Sequence, residues 1–175
     1  MNRKQFEHVI RAAGDIANDD ELIVIGSQAI LGAVAQAPAS MLVSMEVDLY
    51  PKNHPERADL VDGSIGEGSP FHETFGYYAQ GVGPETALLP PGWENRLVPV
   101  ANANTRGVTG WCLELYDLLV SKCLAGRDKD HRFLRDALAE LDVDRALLAS
   151  RLAEVDTEPE RIAKARRWIH RDERP

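Results

Sequence analysis

The chain has 175 residues, a hydrophobic content of 44% and a formal net charge of −8, with a pI near 5.1. This length predicts one domain, or one domain with a helical extension. The acidic balance argues against a surface that binds nucleic acid throughout, although it allows a local basic patch.

Cys112 and Cys123 lack the spacing of a metal site, so reduced thiols are expected. Because the N-terminal sequence lacks a signal-peptide core and the most apolar stretch is too short to span a membrane, we expect a soluble cytoplasmic protein.

Hydrophobic periodicity predicts mixed helices and strands in the first part of the chain and helices alone after it. The predicted strands cover residues 22–25, 43–50, 77–82, 97–100 and 108–113. The predicted helices of the first part cover residues 3–17, 28–37, 56–60 and 71–75. This pattern predicts an α+β fold, in which a small mixed β-sheet is flanked by helices and followed by a C-terminal helical bundle. A weak boundary separates a core at residues 1–113 from a helical region at residues 114–175, and the two are expected to form one compact unit.

Local sequence predicts several turns and helix starts. Ser69, followed by Pro70, is typical of a helix cap, and Thr157 is the predicted cap of the last helix. The segment Asp62-Gly63-Ser64 is typical of a turn. The helix that begins near residue 28 is expected to end before Pro38, which cannot continue it.

The second predicted strand alternates with a period of two residues. One predicted face carries Val43, Met45, Val47 and Leu49, and the other carries Ser44, Glu46, Asp48 and Tyr50. Glu46 and Asp48 therefore share a face, about 7 Å apart along the strand. Two neighbouring carboxylates repel each other, and a divalent cation such as Mg²⁺ is a suitable partner for both. The alternative is the solvated polar face of an edge strand.

Gly26 and Ser27 supply the second half of a candidate site. Glycine permits a tight turn from a strand into a helix, and the free N–H groups at a helix start can hold a phosphate. Most Gly-Ser pairs are simple turns. This pair gains meaning because an apolar strand precedes it, an apolar helix follows it, and the acidic pair is expected on a neighbouring strand.

Gly26-Ser27 followed by Glu46-Val47-Asp48 resembles the Gly-Ser … Asp-x-Asp signature of the nucleotidyltransferase superfamily. The strongest likeness is to small bacterial nucleotidyltransferase-like proteins related to the AbiEii and MenT toxins. The resemblance implies that Ser27 and backbone amides hold a nucleoside triphosphate (NTP), and that Glu46 and Asp48 bind two Mg²⁺ or Mn²⁺ ions. The chain departs from the signature in its first acid, which is glutamate, and in its longer spacer between Ser27 and Glu46.

A further set of candidates follows in the C-terminal part. In the toxin relatives, a helix that carries a lysine is followed by a stretch resembling Arg-x-Lys-Asp, which implies Lys122, Arg127, Lys129 and Asp130 here. Lys122 lies close to an apolar stripe, so it is expected to extend to solvent or to meet a partner such as the triphosphate. Lys129 is a second expected triphosphate ligand, and Asp130 is a candidate third metal ligand or general base. The alternatives are that Asp128 and Asp130 cap the next helix and that Lys122 is a surface residue.

Basic residues concentrate at the C-terminal end of this acidic chain. They are Arg161, Lys164, Arg166, Arg167, Arg171 and Arg174. They are candidates for contact with RNA phosphates or an acidic partner protein. The alternative is a solvated helix end whose cations suit the helix dipole. The histidines are scattered and show no metal-binding spacing.

Three functional hypotheses follow. The first is a metal-dependent enzyme that moves a nucleoside monophosphate from an NTP to an acceptor, for which the resemblance implies RNA, notably the 3′ end of tRNA, and a toxin paired with an antitoxin. The second keeps the chemistry and makes the acceptor a protein. The third is a catalytically silent domain that binds a nucleotide or a partner.

Overall fold

A mixed β-sheet forms the centre of the fold in the computed structural model, which describes residues 1–170. Its strands are β1 (Glu21–Val24), β2 (Glu46–Pro51), β3 (Tyr78–Gly81), β4 (Val98–Val100) and β5 (Thr109–Cys112). They lie in the order β3-β2-β1-β5-β4. β1 is antiparallel to β2 and parallel to β5, whereas β3 is parallel to β2 and β4 is antiparallel to β5. The predicted α+β class, with a mixed sheet flanked by helices, is confirmed.

Helices precede, interrupt and follow the sheet. They are α1 (Arg3–Ala17), α2 (Ile30–Ala33), α3 (Ala58–Ile65), α4 (Pro70–Phe75), α5 (Leu115–Ala125), α6 (Asp128–Glu140), α7 (Arg145–Ala153) and α8 (Pro159–Ile169). Ser69 caps α4 as predicted, because its side chain accepts a hydrogen bond from the backbone N–H of His72. Among the helices at residues 1–170, none has the length and apolar character that a bilayer crossing requires.

Two glycines allow helices to approach the sheet closely. A Cβ atom at Gly110 in β5 would lie 2.6 Å from Ile10 of α1. A Cβ atom at Gly32 in α2 would lie 2.5 Å from the sulfur of Cys112 in β5. A side chain at either position would therefore force its neighbour to shift. In β2, Val47 and Leu49 are buried, and the alternate residues Glu46 and Asp48 lie on the opposite face of the strand.

Helix α5 is the centre of the C-terminal half and packs against α6, α7 and α8. Buried side chains from α1, the sheet and these four helices form one continuous hydrophobic cluster. The division of the chain near residue 113 stays a prediction. Cys112 and Cys123 are buried and unpaired, and burial raises the pKa of each thiol to about 12.

The strand that carries the carboxylates is shorter than predicted at its N-terminal end. The prediction placed Val43 and Met45 on one strand face with Val47 and Leu49, but the first two side chains are 79% and 54% exposed whereas the last two are buried. Pairing with β3 begins at Glu46, which lies opposite Tyr78, and the carbonyl of Met45 accepts the first hydrogen bond of this pairing from the backbone N–H of Tyr78 at 3.0 Å. The alternation of residues predicted the correct faces for Glu46 through Leu49, but it could not show where the partner strand begins.

Other local predictions were also wrong. The helix predicted up to Pro38 consists of a 3₁₀ turn at Ser27–Ala29 followed by α2, because Val34 already has an extended backbone. Its apolar run indicates burial rather than helix length. The predicted turn at residues 62–64 lies inside α3, where burial of Val61 and Ile65 outweighs the low helix propensity of glycine. The residue that precedes α8 is Glu158, so Thr157 is not its cap.

Candidate active site

Glu46 and Asp48 lie on one face of β2, as the strand pattern predicts. Both side chains line a cavity of about 150 Å³ together with Gly26, Lys122 and Arg127. The cavity therefore brings the Gly-Ser turn, the acidic pair and the basic residues of the C-terminal half to one place. The sequence-predicted residue Lys129 also lines it, and so does Ile25, which precedes Gly26.

A glycine is needed at position 26 because a side chain there would clash with Asp48, not because of the backbone conformation. Its φ of −83° and ψ of −172° are open to any residue. A Cβ atom at this position, however, would lie 1.8 Å from Oδ2 of Asp48. The carboxylate of Asp48 is thus packed directly against the backbone of the Gly-Ser turn. The backbone N–H of Ile25 also donates to the carbonyl of Asp48 at 3.1 Å, which ties the two segments together.

Both carboxylate oxygens of Glu46 already have partners. Lys129 Nζ lies 3.0 Å from Oε1, and the hydroxyl of Tyr78 donates to Oε2 at 3.1 Å. Burial and the neighbouring Glu46 carboxylate raise the pKa of Tyr78 to about 12, so its hydroxyl remains a donor at neutral pH. The Ser44 hydroxyl accepts a hydrogen bond from the Glu46 backbone N–H at 3.2 Å, which fixes the start of the strand.

Asp48 differs from Glu46 because its carboxylate has no such partner. Among residues 1–170, no group donates a hydrogen bond to this carboxylate or forms an ion pair with it. Burial raises the pKa of Asp48, and the charge of Glu46 raises it further, against the opposing effect of Lys122, Lys129 and Arg127. A partly buried carboxylate that lacks a donor is costly unless something else binds it.

These two carboxylates fit a divalent cation that a substrate helps to bind. Mg²⁺ commonly takes one or two carboxylates and completes its coordination with waters and substrate phosphates. Within the part of the chain that the structure describes, no group of three or more His, Cys, Asp or Glu side chains could hold a metal. The arrangement therefore fits a metal that arrives with a phosphate ligand, and Glu46 would have to release Lys129 to bind it.

Lys122 and Asp130 form a buried ion pair next to the carboxylates. Lys122 Nζ lies 3.2 Å from Asp130, and the two side chains are 5% and 1% exposed, so Lys122 is not a surface residue. Burial lowers the pKa of Lys122, although the charges of Asp130 and Asp48 oppose this shift. Burial alone would raise the pKa of Asp130, but hydrogen bonds and charge from Arg127 and Lys122 outweigh it and lower the pKa.

Asp130 also helps to start helix α6. Its carboxylate accepts from the backbone N–H of Arg127 at 3.2 Å and from Arg127 Nε at 2.7 Å. Of the two residues considered as caps, Asp130 thus accepts from the N-cap backbone as the third residue of the helix, in addition to its contact with Lys122, whereas Asp128 is the first helical residue and Arg127 holds the N-cap position. Asp130 therefore forms ion pairs with Lys122 and Arg127. Within residues 1–170, it does not form a three-carboxylate metal site with Glu46 and Asp48.

A larger cavity, of about 670 Å³, adjoins the first. Glu46 and Lys129 line both cavities, so their ion pair lies where the two meet. Ser27 lines the larger cavity, whereas its neighbour Gly26 lines the smaller one. The predicted phosphate-binding pair therefore faces both spaces.

The basic C-terminal residues have different environments. Arg161 donates to the carbonyl of Leu124 at 3.1 and 3.2 Å, and so it binds the end of α5. Lys164, Arg166 and Arg167 are exposed on α8. The predicted members Arg171 and Arg174 lie outside the described residues.

Tyr78 and Gln80 belong to the site and were not identified from the sequence. The parallel pairing of β3 with β2 places Tyr78 opposite Glu46 and Gln80 opposite Asp48. Both lie in the strand predicted at residues 77–82. Nothing in the sequence showed which strand would be its neighbour, because pairing is a long-range property.

Replacing Tyr78 with Phe is expected to weaken metal binding about tenfold, because a residue that orients a ligand typically changes metal affinity by that order. The loss of its partly buried hydrogen bond should also lower the free energy of unfolding by about 1 kcal/mol. The measurement is the Mg²⁺ dependence of NTP binding, combined with urea unfolding.

Tyr77→Phe is the matched control, since the Tyr77 hydroxyl interacts with His8 at 2.8 Å rather than with Glu46. An equal change in Mg²⁺ dependence for both variants would contradict the orienting role of Tyr78.

Comparison with known proteins agrees with this geometry at the level of the family. No curated protein and no solved structure matches the chain. One family model matches residues 4–172, which is nearly the whole chain, and its description is "Nucleotidyltransferase of unknown function (DUF6036)". The site at the Gly-Ser turn and the acidic strand is thus found in a chain that belongs to this nucleotidyltransferase family.

Proposed function

We propose that the protein is a metal-dependent nucleotidyltransferase that moves a nucleoside monophosphate from an NTP to an acceptor hydroxyl. The observation that carries this proposal is Asp48, a partly buried carboxylate without a described partner that lies beside Glu46 in a cavity with basic walls. In the reaction, the acceptor oxygen would form a bond to the α-phosphorus as the bond to the bridging oxygen breaks. The acceptor hydroxyl would pass its proton to water, and pyrophosphate would leave with the electron pair of the broken bond.

The residues of the cavity have distinct proposed roles. Gly26 leaves room for Asp48 and brings the turn backbone close to the phosphates, while Lys122, Arg127 and Lys129 offset phosphate charge. A divalent cation held by Glu46 and Asp48 would stabilise negative charge on the attacking and leaving oxygens.

Asp130 is better suited to positioning than to proton transfer. It accepts hydrogen bonds from Arg127, pairs with Lys122, and has a lowered pKa, which makes it a weak base. Its proposed role is to hold these two cations at the wall of the cavity.

RNA is the proposed acceptor, with the 3′ end of tRNA as the first candidate and a toxin role, with a cognate antitoxin, as the biological setting. This part rests on the resemblance to toxin-type nucleotidyltransferases and on the exposed cations Lys164, Arg166 and Arg167 of α8. Removing the helix is a poor test, since Ala165 and Ile169 are buried in the core. Replacing the three exposed cations with Gln should instead weaken RNA binding and reduce its salt dependence.

The direct test is transfer of labelled nucleotide from each of the four NTPs, with Mg²⁺ or Mn²⁺, onto total tRNA and onto cell protein. Label on tRNA that disappears in Asp48→Asn would support the enzyme and its acceptor. Label on protein would favour a protein-modifying enzyme.

A silent binding domain is the second candidate, and a specific observation favours it. The first acid is Glu46, and both of its oxygens are already engaged by Lys129 and Tyr78. No label on either acceptor, with no Mg²⁺-dependent binding of NTP, would overturn the catalytic proposal.

A further inference from the structure

We infer that the 670 Å³ cavity next to the carboxylates holds the nucleoside part of the NTP, and that Phe133 and Asp136 of α6 contact its base. This inference rests on the proposed function and extends it to the choice of nucleotide. It assigns the cavity between α6 and the residues that precede β2, which the resemblance did not include.

The volumes of the two cavities suit different parts of a nucleotide. The smaller one, of about 150 Å³, lies well below the range of about 300–1,000 Å³ that is typical of sites for whole small molecules. It suits phosphates, since Gly26, Lys122 and Arg127 line it. The larger cavity lies within the range that a nucleoside requires.

The two cavities share lining residues, which indicates how a bound nucleotide would be oriented. Glu46 and Lys129 line both cavities, so a nucleotide that occupied both would pass this ion pair. Its α-phosphate would then lie at Glu46, beside Asp48, where the transfer would occur. The Lys129 side chain is 53% exposed, which leaves it free to move from Glu46 to a phosphate when a metal binds Glu46.

The walls of the larger cavity suit a flat aromatic ring. Phe133 and Met41 form its buried part, and Val43 and Met45 are exposed at its edge. Exposed apolar side chains next to a polar site are commonly covered by a ligand. Aromatic and thioether side chains are favourable neighbours for a planar base.

Two polar side chains of α6 can contact the edge of that base. Arg132 and Asp136 lie one turn apart, and both line the cavity. Arg132 forms no ion pair or hydrogen bond with any of the residues 1–170. Arg135 donates to Oδ1 of Asp136, which leaves Oδ2 open to accept from a base.

Arg132 and Asp136 together predict a preference among the four bases. A carboxylate accepts well from an exocyclic amino group, and the guanidinium donates to ring nitrogens and carbonyl oxygens. Adenine, guanine and cytosine carry such an amino group, whereas uracil does not. We therefore expect UTP to bind most weakly of the four NTPs.

The test compares binding of the four non-hydrolysable NTP analogues and of inorganic tripolyphosphate, each with Mg²⁺, by calorimetry. Phe133→Ala should weaken NTP binding about tenfold, the order expected for loss of base stacking. The Phe133 ring centroid also lies 5.7 Å from Lys122 Nζ, so Met45→Ser is the selective variant. It should weaken NTP binding from an exposed position, leave tripolyphosphate binding unchanged, and keep the test falsifiable if Phe133→Ala does not fold.

Leu60→Ser is the matched control, because Leu60 is 55% exposed and does not line either cavity, whereas Met45 is 54% exposed. Asp136→Asn should bring the affinity for UTP close to that for the other NTPs.

The outcomes separate the two proposals. Folded Met45→Ser and Phe133→Ala proteins that bind NTP as the wild type does would overturn the nucleoside site and leave the phosphate site standing. Absence of binding by both NTP and tripolyphosphate would overturn the proposed function, and with it this inference.

Discussion

Replacing Asp48 with Asn is expected to abolish nucleotidyl transfer and, in the absence of metal, to raise the melting temperature. The loss of activity should be about 10³-fold or more, because a neutral amide is a poor replacement for a carboxylate that holds the catalytic cation. The gain in stability follows from the raised pKa of Asp48, whose charged form is disfavoured by burial and by Glu46.

The pH dependence of this stability difference follows from the direction of the pKa shift. At low pH, Asp48 is protonated in both the folded and the unfolded chain, so its charge has no effect on stability. As pH rises from the usual range of an aspartate through the raised folded-state pKa, the unfolded chain loses its proton first and stability falls. The melting temperature of Asp48→Asn should therefore exceed that of the wild type mainly above this range, by about 2–4 °C for each kcal/mol removed.

Metal should reverse the order of stability. Mg²⁺ with a bound NTP analogue should raise the melting temperature of the wild type, since a ligand that binds only the folded state stabilises it, and should leave Asp48→Asn unchanged. Asp142→Asn is the control, because Asp142 is exposed and lines neither cavity. A metal-free melting temperature that falls in Asp48→Asn would mean that the carboxylate has a structural partner and is not held for a cation.

The part of the site that could be predicted from the sequence is the part encoded locally. The two-residue alternation placed Glu46 and Asp48 on one face, and that placement depends only on the geometry of a single strand. The same pattern was wrong for Val43 and Met45. Strand pairing stops at Glu46, and the edge of a ladder depends on the neighbouring strand rather than on side-chain periodicity.

The contacts between distant segments could not be derived from periodicity. Lys129 reaches Glu46 across 83 positions of sequence, and Tyr78 reaches it through the pairing of β3 with β2. The resemblance pointed to Lys129, but nothing pointed to Tyr78. Lys122 shows a related difficulty, because a lysine near an apolar stripe can extend to solvent or form a buried ion pair. In the structure it forms a buried ion pair with Asp130.

Replacing Gly26 with Ala is expected to reduce activity about 10²-fold and to lower the free energy of unfolding. The new methyl group would lie 1.8 Å from Oδ2 and 2.6 Å from Cγ of Asp48, far inside van der Waals contact. Asp48 must then rotate away or the turn must shift, and a displacement of about 1 Å at reacting groups commonly costs about 100-fold in rate. Overpacking of this kind typically costs about 1–3 kcal/mol.

Gly63→Ala is the matched control for the same chemical change. Gly63 lies inside α3, and a Cβ atom there would have no neighbour within 4 Å. This variant should keep full activity and gain up to about 1 kcal/mol of stability, because alanine is the better helix former. The comparison isolates the effect of space at Gly26 from the general effect of replacing a glycine.

A double variant tests whether the clash is with Asp48 itself. Asp48→Ala removes the two atoms that lie nearest to the new methyl group, so the combined destabilisation in Gly26→Ala/Asp48→Ala should be smaller than the sum of the single effects. The expected coupling is at least about 0.5 kcal/mol, measured by urea unfolding of all four proteins. Additive effects would show that Gly26→Ala disturbs the turn without contacting the carboxylate. Coupling without recovery of activity would mean that Gly26 acts through Asp48, because the glycine leaves the space that this carboxylate occupies.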